Sequence, residues 1–164
     1  MGEMSYQDQS VWEESVSAVT LSNSIELGVR RYYKGEEYVY CYNAGGAACD
    51  KLDGVKLVTG TSGYSVAATS LTDTANPCVG VVKNATMTAA AYGWVMSKGF
   101  SSVNMVSAAT GDYVAIALGA GGSFIHASPV TDAAGVGTQA AVGYLLDSDT
   151  GAGGASYAFI KTGF

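Results

Sequence analysis

The feature that most constrains this chain is a period-two alternation, cut every few residues by glycine, asparagine, aspartate or proline. Across Tyr38 to Tyr42 the tyrosines at 38, 40 and 42 fall on one side and Val39 and Cys41 on the other, which is the spacing of a strand with two distinct faces. Asn43 to Ala47, NAGGA, reads as a turn, so a hairpin is expected there. Further strands are expected at Val55 to Thr59, Tyr64 to Ala68, Cys78 to Val82, Tyr92 to Ser97, Asp112 to Leu118, Ala141 to Leu146 and Ser156 to Lys161. Strands this short and this numerous bury their faces by forming a sandwich or a barrel.

The chain also repeats itself. Residues 53–75 laid on 112–134 are identical at eight of 23 positions, among them Asp53 with Asp112, Gly60 with Gly119, Gly63 with Gly122 and Ala68 with Ala127. After an insertion of four residues, Val79-Gly80-Val81-Val82 meets Val142-Gly143-Tyr144-Leu145. The expectation is a duplicated three-stranded unit, spanning 53–82 and 112–145, whose two copies pack into one small barrel or sandwich because neither buries its own face alone. Residues 15–164 are then a single β domain, and residues 1–14, with the apolar pair Val11 and Trp12 set among acids, read as an N-terminal arm.

At 164 residues the chain buries enough surface to fold without disulfide or metal. The acidic start MGEMSYQDQSVWEES lacks the basic and apolar pattern of a signal peptide, and three cysteines leave one over from any pairing, so folding in a reducing cytoplasm is expected. A net charge of −6, with Arg30 and Arg31 as the only adjacent basic pair, argues against nucleic acid, and no apolar run reaches membrane-spanning length. Charge is also unevenly placed: residues 1–56 carry 14 of the 22 charged side chains. A long neutral segment rich in Ala, Gly, Val and Thr implies surface that a partner covers.

Motifs for chemistry are weak. His126 is the only histidine, and no G-x-S-x-G elbow supplies an activated serine. Cys41, Cys49, Cys78 and His126 are separated by 7, 28 and 47 residues, without the close cysteine pair of a structural zinc site, and buried free thiols are expected. Asp147, Asp149 and Gly151 echo a calcium loop but have Ala158 where the last acidic ligand belongs. The G-x-G-x-x-A of Gly135, Gly137 and Ala140 leads into a strand-like AAVGYLL rather than a helix. These patterns point to no enzyme, no cofactor and no metal. Tyr92 and Trp94, sharing a face with Met96, are candidates for packing in the core or at a subunit interface, or for a carbohydrate platform.

GVVKNATMTAAAYGWVMSKG (Gly80 to Gly99), preceded by a DGV-turn-GYSVAA-loop-VGVV unit and followed by TGDYVAIAL (Thr110 to Leu118), resembles small decoration, or cement, proteins of tailed-bacteriophage capsids over about residues 50–146. The resemblance implies a β-barrel or β-tulip-like domain, usually a homotrimer, seated on the outer capsid surface of the virion after synthesis in the host cytoplasm. It implies the major capsid protein as partner and an N-terminal arm that pairs with it, the matching positions here being Tyr6, Val11 and Trp12. Segment 20–50, with its tyrosine strand, has no counterpart in that pattern. The expected function is therefore non-enzymatic stabilisation of a phage shell, the alternatives being a tail or neck component or a carbohydrate-binding β module.

Overall fold

A computed structural model describes residues 15–23, 25–58, 63–68, 78–105, 115–118, 122–126, 142–146 and 154–162. The expected arm with Tyr6, Val11 and Trp12, the G-x-G-x-x-A of Gly135, Gly137 and Ala140, and Asp147, Asp149 and Gly151 lie outside the described residues. Eleven strands are present among them: β1 (Val19–Thr20), β2 (Arg30–Tyr33), β3 (Glu36–Asn43), β4 (Gly54–Leu57), β5 (Ser65–Ala68), β6 (Cys78–Val81), β7 (Tyr92–Met105), β8 (Ala115–Leu118), β9 (Phe124–His126), β10 (Gly143–Leu145) and β11 (Gly154–Lys161). The chain is mainly β, as its alternation predicts.

The strands close two barrels rather than one. In the first, β3 pairs in parallel with β5, β5 with β4, β4 with β6, β6 with β7, and β7 returns to β3. In the second, the same circuit runs from β7 in parallel to β9, then β8, β10, β11 and back to β7. Strand β7, 14 residues long, serves both: its first half ends one barrel and its second half begins the next. Gly99 sits at the changeover, where an added Cβ would come within 2.8 Å of the Glu36 side chain.

The registers repeat as well as the order. Asn43↔Val66 reappears as Met105↔Phe124, Val55↔Ala68 as Ile116↔His126, Val55↔Gly80 as Ile116↔Gly143, and Tyr38↔Met96 as Phe100↔Phe159. Gly80 and Gly143 play one part in the two copies, since a Cβ on either would lie 2.1 Å from a carbonyl oxygen, that of Met96 or of Phe159. The duplicated unit is thus five strands, not three, and each copy closes on itself by sharing β7. Register also corrects the sequence alignment: Val79 to Val82 do match Val142 to Leu145, but Val55 matches Ile116 rather than Val114, and Ala68 matches His126 rather than Ala127. Identities in Ala- and Gly-rich sequence shift the alignment off the pairing.

The NAGGA turn does not make a hairpin. Asn43 is buried, its side-chain amide donates to the Ala47, Met87 and Thr88 carbonyls, and its Oδ1 accepts from Gly45 N–H. These bonds carry the chain out of the sheet, so β3 takes β5 as its neighbour and Cys49 bridges to Met87 instead of facing Cys41. Strand β3 instead forms a hairpin with β2, turned by Lys34 and Gly35 at φ 51° and 82°, the left-handed pair a two-residue turn requires.

Two apolar clusters follow from this topology. Val39, Cys41, Val55, Val66, Val79 and Val95, at least one from each of the five strands, fill the first barrel, with Cys49, Val82 and Met87 joining them. The other cluster includes Val103, Met105, Phe124, Leu145, Ala158 and Ile160 of the second barrel. It continues onto the outer face of the first, where Tyr38, Tyr40, Trp94 and Met96 share it with Val16 and Ile25.

Candidate functional site: an exposed aromatic face on the second barrel

Alternation along β7 and β11 sends every second side chain outward. Ser156, Ala158 and Ile160 are buried, which leaves Tyr157, Phe159 and Lys161 on the outside of β11. In β7, Ser101, Val103 and Met105 are buried, leaving Lys98, Phe100, Ser102 and Asn104 outward. Antiparallel register sets Phe100 opposite Phe159, Ser102 opposite Tyr157 and Lys98 opposite Lys161, and Tyr144 of β10 lies beside Phe159. The Phe100 and Tyr157 rings stack with centroids 6.1 Å apart and planes 11° apart, and Phe100 meets Phe159 at 5.1 Å. Phe100, Tyr144 and Tyr157 remain 47%, 52% and 46% exposed. A soluble chain seldom presents such a group of rings to water unless something docks there.

The first barrel shows what that face looks like when covered. The register counterparts of Phe100, Tyr144, Tyr157 and Phe159 are Tyr38, Val81, Trp94 and Met96, none more than 3% exposed. They share one buried cluster with Val16 and Ile25, against which Leu27 and Val29 also pack. Asn84 links this cover to the barrel, its amide donating to the Val16 carbonyl at 3.3 Å and the Tyr38 hydroxyl at 3.4 Å.

Tyr92 and Trp94, expected from the sequence to pack in the core or at an interface, belong to the covered face, where Trp94 is core. Trp94 is buried edge-on to Tyr40, with centroids 5.1 Å apart, and Tyr92 is half-buried between Tyr40 and Tyr42. The exposed rings are instead Phe100, Tyr144 and Tyr157. Tyr157 ends an Ala-Ser-Tyr run that gives no local signal of exposure; its correspondence with Trp94 is visible only once the five-stranded repeat is known.

The polar groups nearby build structure. Lys83 Nζ donates to Glu36 Oε1 and, at 2.7 Å, to the Phe100 carbonyl, while the Tyr38 hydroxyl donates to Glu36 Oε2. Arg30 pairs with Glu37, which also accepts from the Tyr32 hydroxyl at 3.1 Å. Asp53 is buried between the barrels: Asn104 donates to its Oδ1 at 3.1 Å and Asp50 N–H to its Oδ2 at 3.0 Å. Burial pushes its carboxyl above the ordinary value of 3.8. Burial also raises the thiols, Cys41 furthest, Cys49 to about 11 and Cys78 to about 12, so all three are protonated at neutral pH and poor nucleophiles. They are free and buried, as expected. His126 lies in β9 opposite Ile116. Among the described residues no group of three or more His, Cys, Asp or Glu is placed to hold a metal, and no helix is long and apolar enough to cross a membrane.

Comparison of the chain with protein-family models, with curated proteins and with solved structures finds no match.

Proposed function

We propose that this chain is a non-enzymatic structural protein of a phage virion, one that binds the outer capsid surface and stabilises the shell as a homo-oligomer, in the manner of a decoration protein. The observation that carries the assembly part of this reading is the exposed ring set Phe100, Tyr144 and Tyr157, whose counterparts in the first barrel are buried. The neutrality of the chain beyond residue 56 and the resemblance of residues 50–146 to decoration proteins support the capsid as the place of assembly. The partners are then further copies of the chain and the major capsid protein.

The test is co-sedimentation with capsids built from the major capsid protein of the same virion. Wild type should pellet with them in fixed stoichiometry, and the double variant Phe100→Ser/Tyr157→Ser should stay in the supernatant. Equal pelleting of both proteins rejects this face as the assembly surface. A second reading, a carbohydrate-binding module, draws on the exposure of the Phe100, Tyr144 and Tyr157 rings, since sugars stack on exposed aromatic faces. Oligosaccharide that quenches tyrosine fluorescence in wild type but not in the double variant would favour it.

A further inference from the structure

The covered and open faces differ for a topological reason. The first barrel is shielded by Val16 and Ile25, with Leu27 and Val29, all of which precede its first strand, β3. The second barrel begins in the middle of β7, and the residues that precede its first half-strand already form the last strand of the first barrel. Sharing β7 therefore leaves the second copy of the unit without a leading segment of its own. Its outward face keeps the aromatic character of the first, but the cover has to come from elsewhere.

From this we infer that the cover is the N-terminal arm, residues 1–14, of a second copy of the chain. This rests on the reading of the aromatic face as the assembly surface, and it names the occupant. The chemistry of the two parts matches. The arm carries Glu3, Asp8, Glu13 and Glu14 with no lysine or arginine, and among these acids stand Val11 and Trp12. At one end of the face the outward, exposed Lys98 and Lys161 sit opposite each other, next to Phe100 and Phe159. Trp12 on the rings, with the acids against the two lysines, gives the face a large apolar anchor and a charge-matched rim. The arm also leads directly into the segment that shields the first barrel, so one continuous stretch would cover its own first barrel and a neighbour's second. Such a contact is head-to-tail and self-propagating, and it closes into a small ring when the rotation per subunit allows.

The test uses two full-length variants: Trp12→Ser, with a disabled arm and an intact face, and Phe100→Ser/Tyr157→Ser, with a disabled face and an intact arm. Sedimentation equilibrium should show wild type assembled at micromolar concentration and each variant at least about thirtyfold weaker in self-association, as for loss of a buried aromatic anchor. Mixed in equal amounts, the two variants should form a one-to-one dimer, because one good arm meets one good face, and high salt should dissociate it. A mixture that stays monomeric, or a Trp12→Ser protein that assembles like wild type, overturns the arm as occupant. If the double variant still loses capsid binding, only the occupant is wrong; if it assembles and binds capsids normally, the face itself is wrong.

Discussion

Trp94 and Tyr157 hold the same register position in successive barrels, Trp94 opposite Tyr40 and Tyr157 opposite Ser102, yet Trp94 is 3% exposed and Tyr157 46%. One position thus serves as core in the first copy and as surface in the second. Trp94→Ser should cost about 3–5 kcal/mol, the range for emptying a buried aromatic site. At about 2–4 °C per kcal/mol for a chain of this size, the melting temperature should fall by roughly 10 °C. Tyr157→Ser should stay within about 0.5 kcal/mol of wild type, as exposed substitutions do. Thermal melts of the two single variants, at concentrations too low for wild type to assemble, check the contrast, and equal losses would contradict it.

Gly80 and Gly143 test the duplication through the backbone. Alanine at either position sets a Cβ 2.1 Å from a carbonyl oxygen of the adjacent strand, and neither strand can move without opening its barrel. Each replacement should destabilise by about 2–3 kcal/mol, at the upper end of ordinary overpacking. Alanine at Gly35 or Gly46 meets nothing within 4 Å, and of these Gly46 is the better control because Gly35 also needs its left-handed φ of 82°. Denaturant titration of Gly80→Ala, Gly143→Ala and Gly46→Ala should show two matched losses and one small change.

Much of the fold was legible because strand alternation is local. Each of the seven strands expected after the tyrosine strand is found within the described residues, and the correspondence of Val79 to Val82 with Val142 to Leu145 is reproduced in space. The continuation of β7 past Ser97 was not legible, because Lys98, Gly99 and Ser101-Ser102 look like a loop until each half of the strand is given a different barrel to line. The exposed face was hidden for a related reason. Exposure depends on what the rest of the chain covers, and Trp94 and Tyr157 differ in that respect although both stand in aromatic strands.

Asp53 predicts a pH dependence. Its folded pKa is raised by burial, so the folded state binds its proton more tightly than the unfolded chain does. The stability it contributes is greatest below the ordinary carboxylate value of 3.8 and is lost as the pH rises through the higher folded value. Relative to Asp53→Asn, which cannot titrate, wild type should therefore lose stability as the pH rises through that window. A stability difference between the two proteins that is flat across mildly acidic pH would contradict the assignment.

The cysteines should be silent in the native state. With Cys41, Cys49 and Cys78 buried and their thiols protonated, a disulfide-exchange reagent at neutral pH should label them only at the rate of opening or unfolding, and guanidinium should release three equivalents at once. Fast labelling of even one equivalent in the folded protein would show that a barrel end is open.

If the outer face of the second barrel joins this chain to its neighbours, mass and stability measured on one variant will separate. Light scattering should give wild type a mass well above the 16.7 kDa of a single chain and Phe100→Ser/Tyr157→Ser that monomer mass, with the two melting curves superimposed at concentrations too low for wild type to assemble. Equal masses for the two proteins, both folded, would contradict the account.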